Sequence, residues 1–360
     1  MQSLKQRSNI ESNKAFQRLA EKTQVLMPRC GMKEVAKNRY SHSYEVATSS
    51  LMIASTIADS LNVPIHVIDY EESLFNVSLL HDIGHPSFGH DGVDLLDNYF
   101  KDLGLAEGFS DNNNNLVVIE KNNIYVSDYV IASVIKYPNK LYPDQMIKYL
   151  PILKSAIKKD YNHFKHNLKL ELKNQTKTIA CQIMDEADRN SYVCSDLTDF
   201  LCLGNSISLE ELKDHARKYG IVQYDELSAL AHVIKGGSKN AIKSYFNILK
   251  NRFNENYKLS ENGIEVIDKD LAQYREFLSS VEHEFYIKPI RKLPEHFENM
   301  EKMKKFIVAV VQDGIITSKH YRKKINSTDD KIKILTYQRD MIGEVTDWYI
   351  LNYFGKEITC

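Results

Sequence analysis

Glycine and proline are scarce in this chain, 14 and 8 in 360 residues. That leaves little turn material for a sandwich or barrel of many short strands. Long apolar runs are missing too. The best stretch, Phe306 to Val311, falls far short of the ~20 residues needed to span a bilayer. Neither sign of charge is in excess, with 47 Lys+Arg against 48 Asp+Glu, which argues against a surface that coats nucleic acid. Cysteine is sparse and unpatterned: Cys30, Cys181, Cys194, Cys202 and Cys360 contain no C-x-x-C pair. Such a set reads as small apolar residues in a reducing compartment. The opening stretch MQSLKQRSNIESNK has no apolar segment after its basic residues, so it does not read as a secretory signal. A cytoplasmic location is expected. What is present in quantity is core material, 43% hydrophobic against 26% charged residues, and that excludes a disordered chain.

The periodicity of that material is helical. Val46, Ser50, Ile53, Ile57 and Leu61 recur at three-or-four spacing, predicting a helix over Glu45 to Leu61. Leu74 to Leu80 reads as a short buried helix, closed by Gly84, Pro86 and Gly89. Further helices are expected at Gln145–Lys159, Thr178–Leu203, Leu209–Tyr219, Ala241–Phe253, Lys269–Phe285, Glu298–Gln312 and Lys331–Phe354. Leu116–Tyr125, interrupted by Lys121-Asn122-Asn123, is the best candidate for a short hairpin. Ser110–Asn115, Tyr137–Asp144, Gly236-Gly237 and Asn326–Asp330 read as polar loops. No repeat or composition break divides the chain. One all-α domain over residues 1–360 is expected, with the chemistry in about 30–205 and a helical remainder in about 206–360.

The chemistry-bearing residues cluster early. Five of the 12 histidines fall between His42 and His90. His66 stands alone and reads as a surface or core residue. His81-Asp82 ends an apolar helix, and a buried His-Asp pair is costly unless something satisfies it. A divalent cation would do so, because imidazole nitrogen and carboxylate oxygen both suit mid-row metals. The glycines and proline that follow would place His85 and His90 on a loop facing the same pocket. Asp188, Tyr192 and Asp196 are spaced i, i+4, i+8 and would line one helical face as a pocket wall.

The order His42 … His81-Asp82 … Asp188 resembles the H…HD…D signature of HD-domain metal-dependent phosphohydrolases. Within that superfamily the chain is most similar to the bacterial dGTP triphosphohydrolases. Phe16 to Val25 (FQRLAEKTQV) resembles their FRRLxxKTQV opening. Arg39 to Ala47 resembles RxxHSxEVA, and His81 to Gly92 resembles HDIGHPPFGHxGE. Lys136-Tyr137-Pro138 matches their KYP, Asp188 to Asp196 their ADDxxYxxxDxED helix, and Arg339 to Tyr349 (RDMIGEVTDWY) their DYIAGMTDxYA.

The resemblance implies an HD-domain helical bundle with peripheral helices and at most a short hairpin. It implies one divalent ion (Mn, Mg, Fe, Co, Ni or Zn) on His42, His81, Asp82 and Asp188. His85 and His90 become pocket histidines, with His90 as proton donor. Arg39, Lys136 and Tyr192 would bind triphosphate oxygens, Asp196 would sit beside sugar or phosphate, and Gln24 would hold the deoxyribose 3′-hydroxyl. The implied reaction converts a dNTP, dGTP by family habit, to deoxynucleoside and tripolyphosphate. A homo-oligomer, tetramer or hexamer, is implied, with single-stranded DNA as a conceivable effector and no membrane partner.

Three places depart from the pattern. Ser110 to Asn115 replaces a motif that usually has His or Gly before Asn, with Asn112 as the candidate equivalent. Val93 stands where the family carries the Glu that supports its catalytic His, and Asp94 is the expected replacement partner of His90; otherwise that dyad is broken and turnover is slow. Arg189 follows Asp188 where the family has a second Asp, and would add a phosphate contact. Two other readings stay open: an HD phosphohydrolase acting on a different nucleotide, or a nucleotide-sensing or single-strand-binding regulator with weakened catalysis.

Overall fold

The computed structural model describes residues 2–24, 37–221 and 224–354. Val25 of the first motif, Cys30 and Cys360 lie outside these. In chain order the helices are α1 (Gln2–Ser12), α2 (Lys14–Gln17), α3 (Arg39–Ser60), α4 (Ile65–Ile68), α5 (Leu74–Leu80), α6 (Gly89–Asp102) and α7 (Asp111–Lys121). Next come α8 (Asp128–Val134), α9 (Pro143–Leu168), α10 (Ile179–Cys202), α11 (Leu209–Lys218), α12 (Tyr224–Gly236) and α13 (Lys239–Asn254). A hairpin of β1 (Tyr257–Ser260) and β2 (Gly263–Val266) precedes α14 (Lys269–Glu282) and α15 (Lys288–Ile290). The chain continues through α16 (Pro294–Val311), α17 (Lys319–Ile325), α18 (Lys331–Gly343) and α19 (Asp347–Tyr353). The fold is all-α, as expected from the periodicity.

α3 lies at the centre, packed along α10 and α5. Its apolar stripe, Val46, Ile53 and Ile57, is fully buried with Leu79 and Leu80 of α5 and Ile183 and Ala187 of α10. The second half of α10 enters a different cluster, with Phe246 and Phe253 of α13 and Phe277 and Leu278 of α14. A third cluster joins Leu96 and Phe100 of α6 to Phe306 and Val310 of α16 and to Met341, Ile342 and Ile350. The C-terminal helices are thereby seated directly behind the segment that carries His81 to His90. Cys181, Cys194 and Cys202 are free and buried, as small core residues. His66 is exposed.

Four local expectations are corrected. The first helix begins at Arg39, because Asn38 caps it by accepting from the Ser41 amide at 2.9 Å; His42 therefore sits inside its first turns. Ser110–Asn115 is no loop, and Leu116–Tyr125 is no hairpin. Ser110 caps α7, accepting from the Asn113 amide at 3.3 Å, and the β-branched run Val117-Val118-Ile119 is helical. Burial on several sides overrides its strand propensity, and Asn122-Asn123 closes the helix, with Asn123 at φ 49.

The hairpin of the fold is instead β1–β2, antiparallel with Tyr257 opposite Val266 and Ser260 opposite Gly263. The predicted helix over Lys331–Phe354 breaks at Glu344–Thr346. Gly343 packs where a Cβ would meet the Phe109 ring at 2.7 Å, and Thr346 caps a new helix by accepting from the Tyr349 amide at 3.2 Å. That break turns Asp347 inward.

Candidate functional site

Three helices deliver the central cluster. His42 comes from α3, His81 from the C-terminal end of α5 and Asp188 from the middle of α10. Their ligand atoms lie within 4.8 Å of one another. His42 Nε2 is 3.0 Å from Asp188 Oδ1, and His81 Nε2 is 3.4 Å from the same oxygen. Asp82 stands beside them, with Oδ1 3.6 Å from His81 Nε2 and Oδ2 paired to the Arg39 guanidinium at 2.5 Å.

The set fits a divalent ion. His81 Nδ1 donates to the Ser78 carbonyl at 2.7 Å, so in the neutral imidazole the lone pair is on Nε2, facing the cluster. That Nε2 is buried with no hydrogen-bond partner. A histidine held this way from its far nitrogen is the usual support of a metal ligand, and two imidazoles with one or two carboxylates suit mid-row metals.

Electrostatics hold the acids charged. Burial opposes ionisation of Asp188, yet Lys136 and His81 keep its carboxyl well below the usual range. Asp82 is likewise buried, and His81 and Arg39 lower it despite that. For His81 burial works against the proton, but the Asp82 and Asp188 carboxylates outweigh it and raise the imidazole. Lys136 lies 2.7 Å from Asp188 Oδ2 and 3.6 Å from Asp185 Oδ1. Burial would lower this ammonium, and those two carboxylates raise it.

Beside the cluster opens a cavity of about 260 Å³. Of the residues expected there, Gln24, Arg39, Asp82, His85, His90, Lys136, Asp188, Arg189 and Tyr192 all line it. Gln24 is buried, and its Oε1 has no partner among the described residues. His85 is buried, its imidazole held well below the usual range by burial and by Arg39. His90 is exposed, on the first turn of α6 and not on a loop. The two rings meet edge to face at 5.2 Å.

Two expected residues are elsewhere. Asp94 is exposed and does not line this cavity. Asp196 is buried away from the cavity. Eight residues of α-helix advance about 12 Å and rotate about 80° past two full turns, so Asp188 and Asp196 do not share a wall. Asp196 instead faces Glu282 of α14. Burial and Glu282 push its carboxyl well above the usual range, and burial pushes Glu282 up to about 8. Tyr192 also hydrogen-bonds Glu282.

Sequence reasoning gave no role to Asp111 and Asp185, which complete the lining with Asn112 and with Tyr137 of the KYP motif. It also missed how the His81–His90 loop is held. Asn115 donates from Nδ2 to the His81 carbonyl and accepts the Gly84 amide, both at 2.6 Å, and Asn114 donates to the Gly84 carbonyl at 2.7 Å. Gly84 admits no side chain, since a Cβ would lie 2.2 Å from the Asn115 nitrogen. Arg18 donates to the Ile83 carbonyl at 2.8 Å and to that of Glu344 at 2.6 Å. The Lys22 ammonium donates to the His85 and Gly343 carbonyls. Asp347 accepts the amides of Thr23 and Phe88, each at 2.8 Å. The only signal for Asp347 was the Thr-Asp pair of the last motif.

Comparison with known proteins agrees with this geometry. Residues 39–192 match the HD domain family model. A deoxyguanosinetriphosphate triphosphohydrolase-like protein of Leptospira interrogans is 31% identical over 229 residues, 59% of this chain and 52% of that protein. A second, of Mesorhizobium japonicum, is 30% identical over 218 residues, covering 53% and 44%. The one from Shewanella sediminis is 26% identical over 238 residues, covering 55% and 52%. The chain spans about half the length of these curated relatives. Among the described residues, no helix is long and apolar enough to cross a membrane. With His42, His81-Asp82 and Asp188 inside the matched span, the chain carries an HD domain and is a relative of the deoxyguanosinetriphosphate triphosphohydrolase-like proteins.

Proposed function

We propose that this protein is a metal-dependent dNTP triphosphohydrolase, with dGTP as the preferred substrate. The observation that carries the reading is the His42–His81–Asp188 cluster opening onto a cavity walled by Arg39, Lys136, Arg189 and two histidines. A polyanion needs cations on one side and a proton source on the other, and the cavity has both. His42, His81, Asp82 and Asp188 would hold the ion, which when bound supplies a Lewis acid for a phosphoryl oxygen and lowers the pKa of a water.

The chain's own groups do the rest. Arg39, Lys136 and Arg189 take non-bridging oxygens, with bidentate donors from the guanidinium groups and a point charge from the ammonium. Tyr192 adds a hydroxyl donor, and Gln24 offers its unpartnered Oε1 to the sugar 3′-hydroxyl. Water attacks the α-phosphorus; its oxygen bonds to phosphorus as the bond to the 5′-oxygen breaks, and the proton it sheds passes to solvent. A 5′-alkoxide is a poor leaving group, so it must gain a proton, and His90 donates it. The products are deoxynucleoside and intact tripolyphosphate.

The same reading carries a cytoplasmic tetramer or hexamer, which sizing in solution tests. The function itself is tested by incubating the purified protein with each dNTP and Mn²⁺ or Mg²⁺ and assaying tripolyphosphate. Tripolyphosphate with dGTP ahead of the other dNTPs is expected. No product from any dNTP, with one metal ion bound per chain, would refute it.

A further inference from the structure

The chain lacks an acid at position 93, and Val93 packs against the apolar cluster behind α6. The cavity nevertheless contains a carboxylate against a histidine, supplied from another helix. Asp111 stands in the first turn of α7, where free N–H groups and the helix dipole favour negative charge. Its Oδ1 is held from two directions by Asn112, by the backbone amide at 2.8 Å and by Nδ2 at 2.9 Å. That leaves Oδ2 directed at His85 Nε2, 3.3 Å away. The other ring nitrogen of His85, Nδ1, is buried without a partner.

We infer that Asp111 is a positioning residue for His85, and that acid support for the pocket's histidines is provided by α7 rather than by the helix of His90. Resting on the proposed phosphohydrolase reading, this assigns a residue that the motifs of the chain do not. Asp111 accepts the Nε2 proton of His85 and so fixes the Nε2–H tautomer and the ring plane. His85 in turn packs edge to face on His90, restricting the rotamer from which His90 reaches a leaving oxygen. In this role Asp111 acts through His85. A misplacement of about 1 Å in such a constellation costs about 100-fold in rate.

The test uses Asp111→Ala and Asp111→Glu in the full chain. Nitrogen-15 NMR of histidine-labelled protein reads the His85 tautomer without any substrate. The wild type should show Nε2–H, and Asp111→Ala should lose that preference. In kinetics, Asp111→Ala should lower kcat about 10- to 100-fold, with KM within about threefold and the melting temperature and metal content retained. Asp111→Glu should recover at least part of kcat. An Nδ1–H tautomer in the wild type, or an unchanged kcat in Asp111→Ala, would overturn the assignment. If the wild type released no tripolyphosphate, the proposed activity would fall, while the tautomer measurement would still decide Asp111.

Discussion

Replacing Asn115 by Ala removes one of the two asparagines by which α7 holds the loop that carries His81 and Asp82. The side chain is buried, donates to the His81 carbonyl and accepts the Gly84 amide, both at 2.6 Å. Truncation strands one buried acceptor and one buried donor. Each unsatisfied group costs about 1–3 kcal/mol, so a loss of about 2–6 kcal/mol is expected. For 360 residues at about 2.1 cal/mol/K per residue, the unfolding entropy is about 0.76 kcal/mol/K. The melting temperature should therefore fall by about 3–8 °C, read by scanning calorimetry of the metal-free protein. Because one stranded group is the carbonyl of His81 itself, metal affinity should fall as well. Each 1.4 kcal/mol that goes into displacing this ligand weakens binding about tenfold. Titration should then show an affinity about 10- to 100-fold below wild type. A melting temperature within 1 °C of wild type would refute the reasoning, since it would mean that the loop holds its shape without Asn115.

Two further outcomes are expected. Lys136→Ala should lower kcat/KM for a dNTP about 10- to 100-fold, because hydrogen bonds to charged groups contribute about 1.5–3 kcal/mol; initial rates within twofold of wild type would contradict a phosphate role. Burial pushes the Glu282 carboxyl up to about 8, so the fold prefers its protonated form. The stability that goes with this is complete below the ordinary carboxyl range near 4.5 and is lost as pH rises toward 8. Glu282→Gln keeps the shape without the charge. Its melting temperature should exceed that of wild type above pH 8, by an amount that shrinks toward pH 5; parallel curves across that range would count against a shared proton at Asp196 and Glu282.

How far the sequence carried the fold depended on how local each signal was. The α3 stripe and the His42, His81-Asp82 and Asp188 spacing were legible, since helix period and ligand chemistry are properties of neighbouring residues. The wall residue Asp196 was misjudged because spacing alone ignores the drift of 3.6 residues per turn over two turns. α7 was misread because its asparagines look like turn formers until their partners, the backbone of residues 81 to 84, are brought into place from thirty residues away. Asp111 escaped for the same reason: nothing adjacent in sequence says that a helix start will face His85. The partner of a buried polar group is a tertiary fact, whereas Asp94 was chosen for its i+4 spacing from His90 on one helix.

The strap formed by Arg18, Lys22 and Asp347 has a consequence for synthesis. All histidines and acids of the proposed metal site have left the ribosome once residue 188 is clear, yet the loop bearing His81 to His90 is fastened by groups at 343 to 347. From residue 188 until residue 347 is made, somewhat under half of the chain, a nascent chain would carry the ligands without this strap on their loop. The loop would be fastened only when the helices flanking residues 343 to 347 dock, so until then the proposed site would have its side chains without their full support.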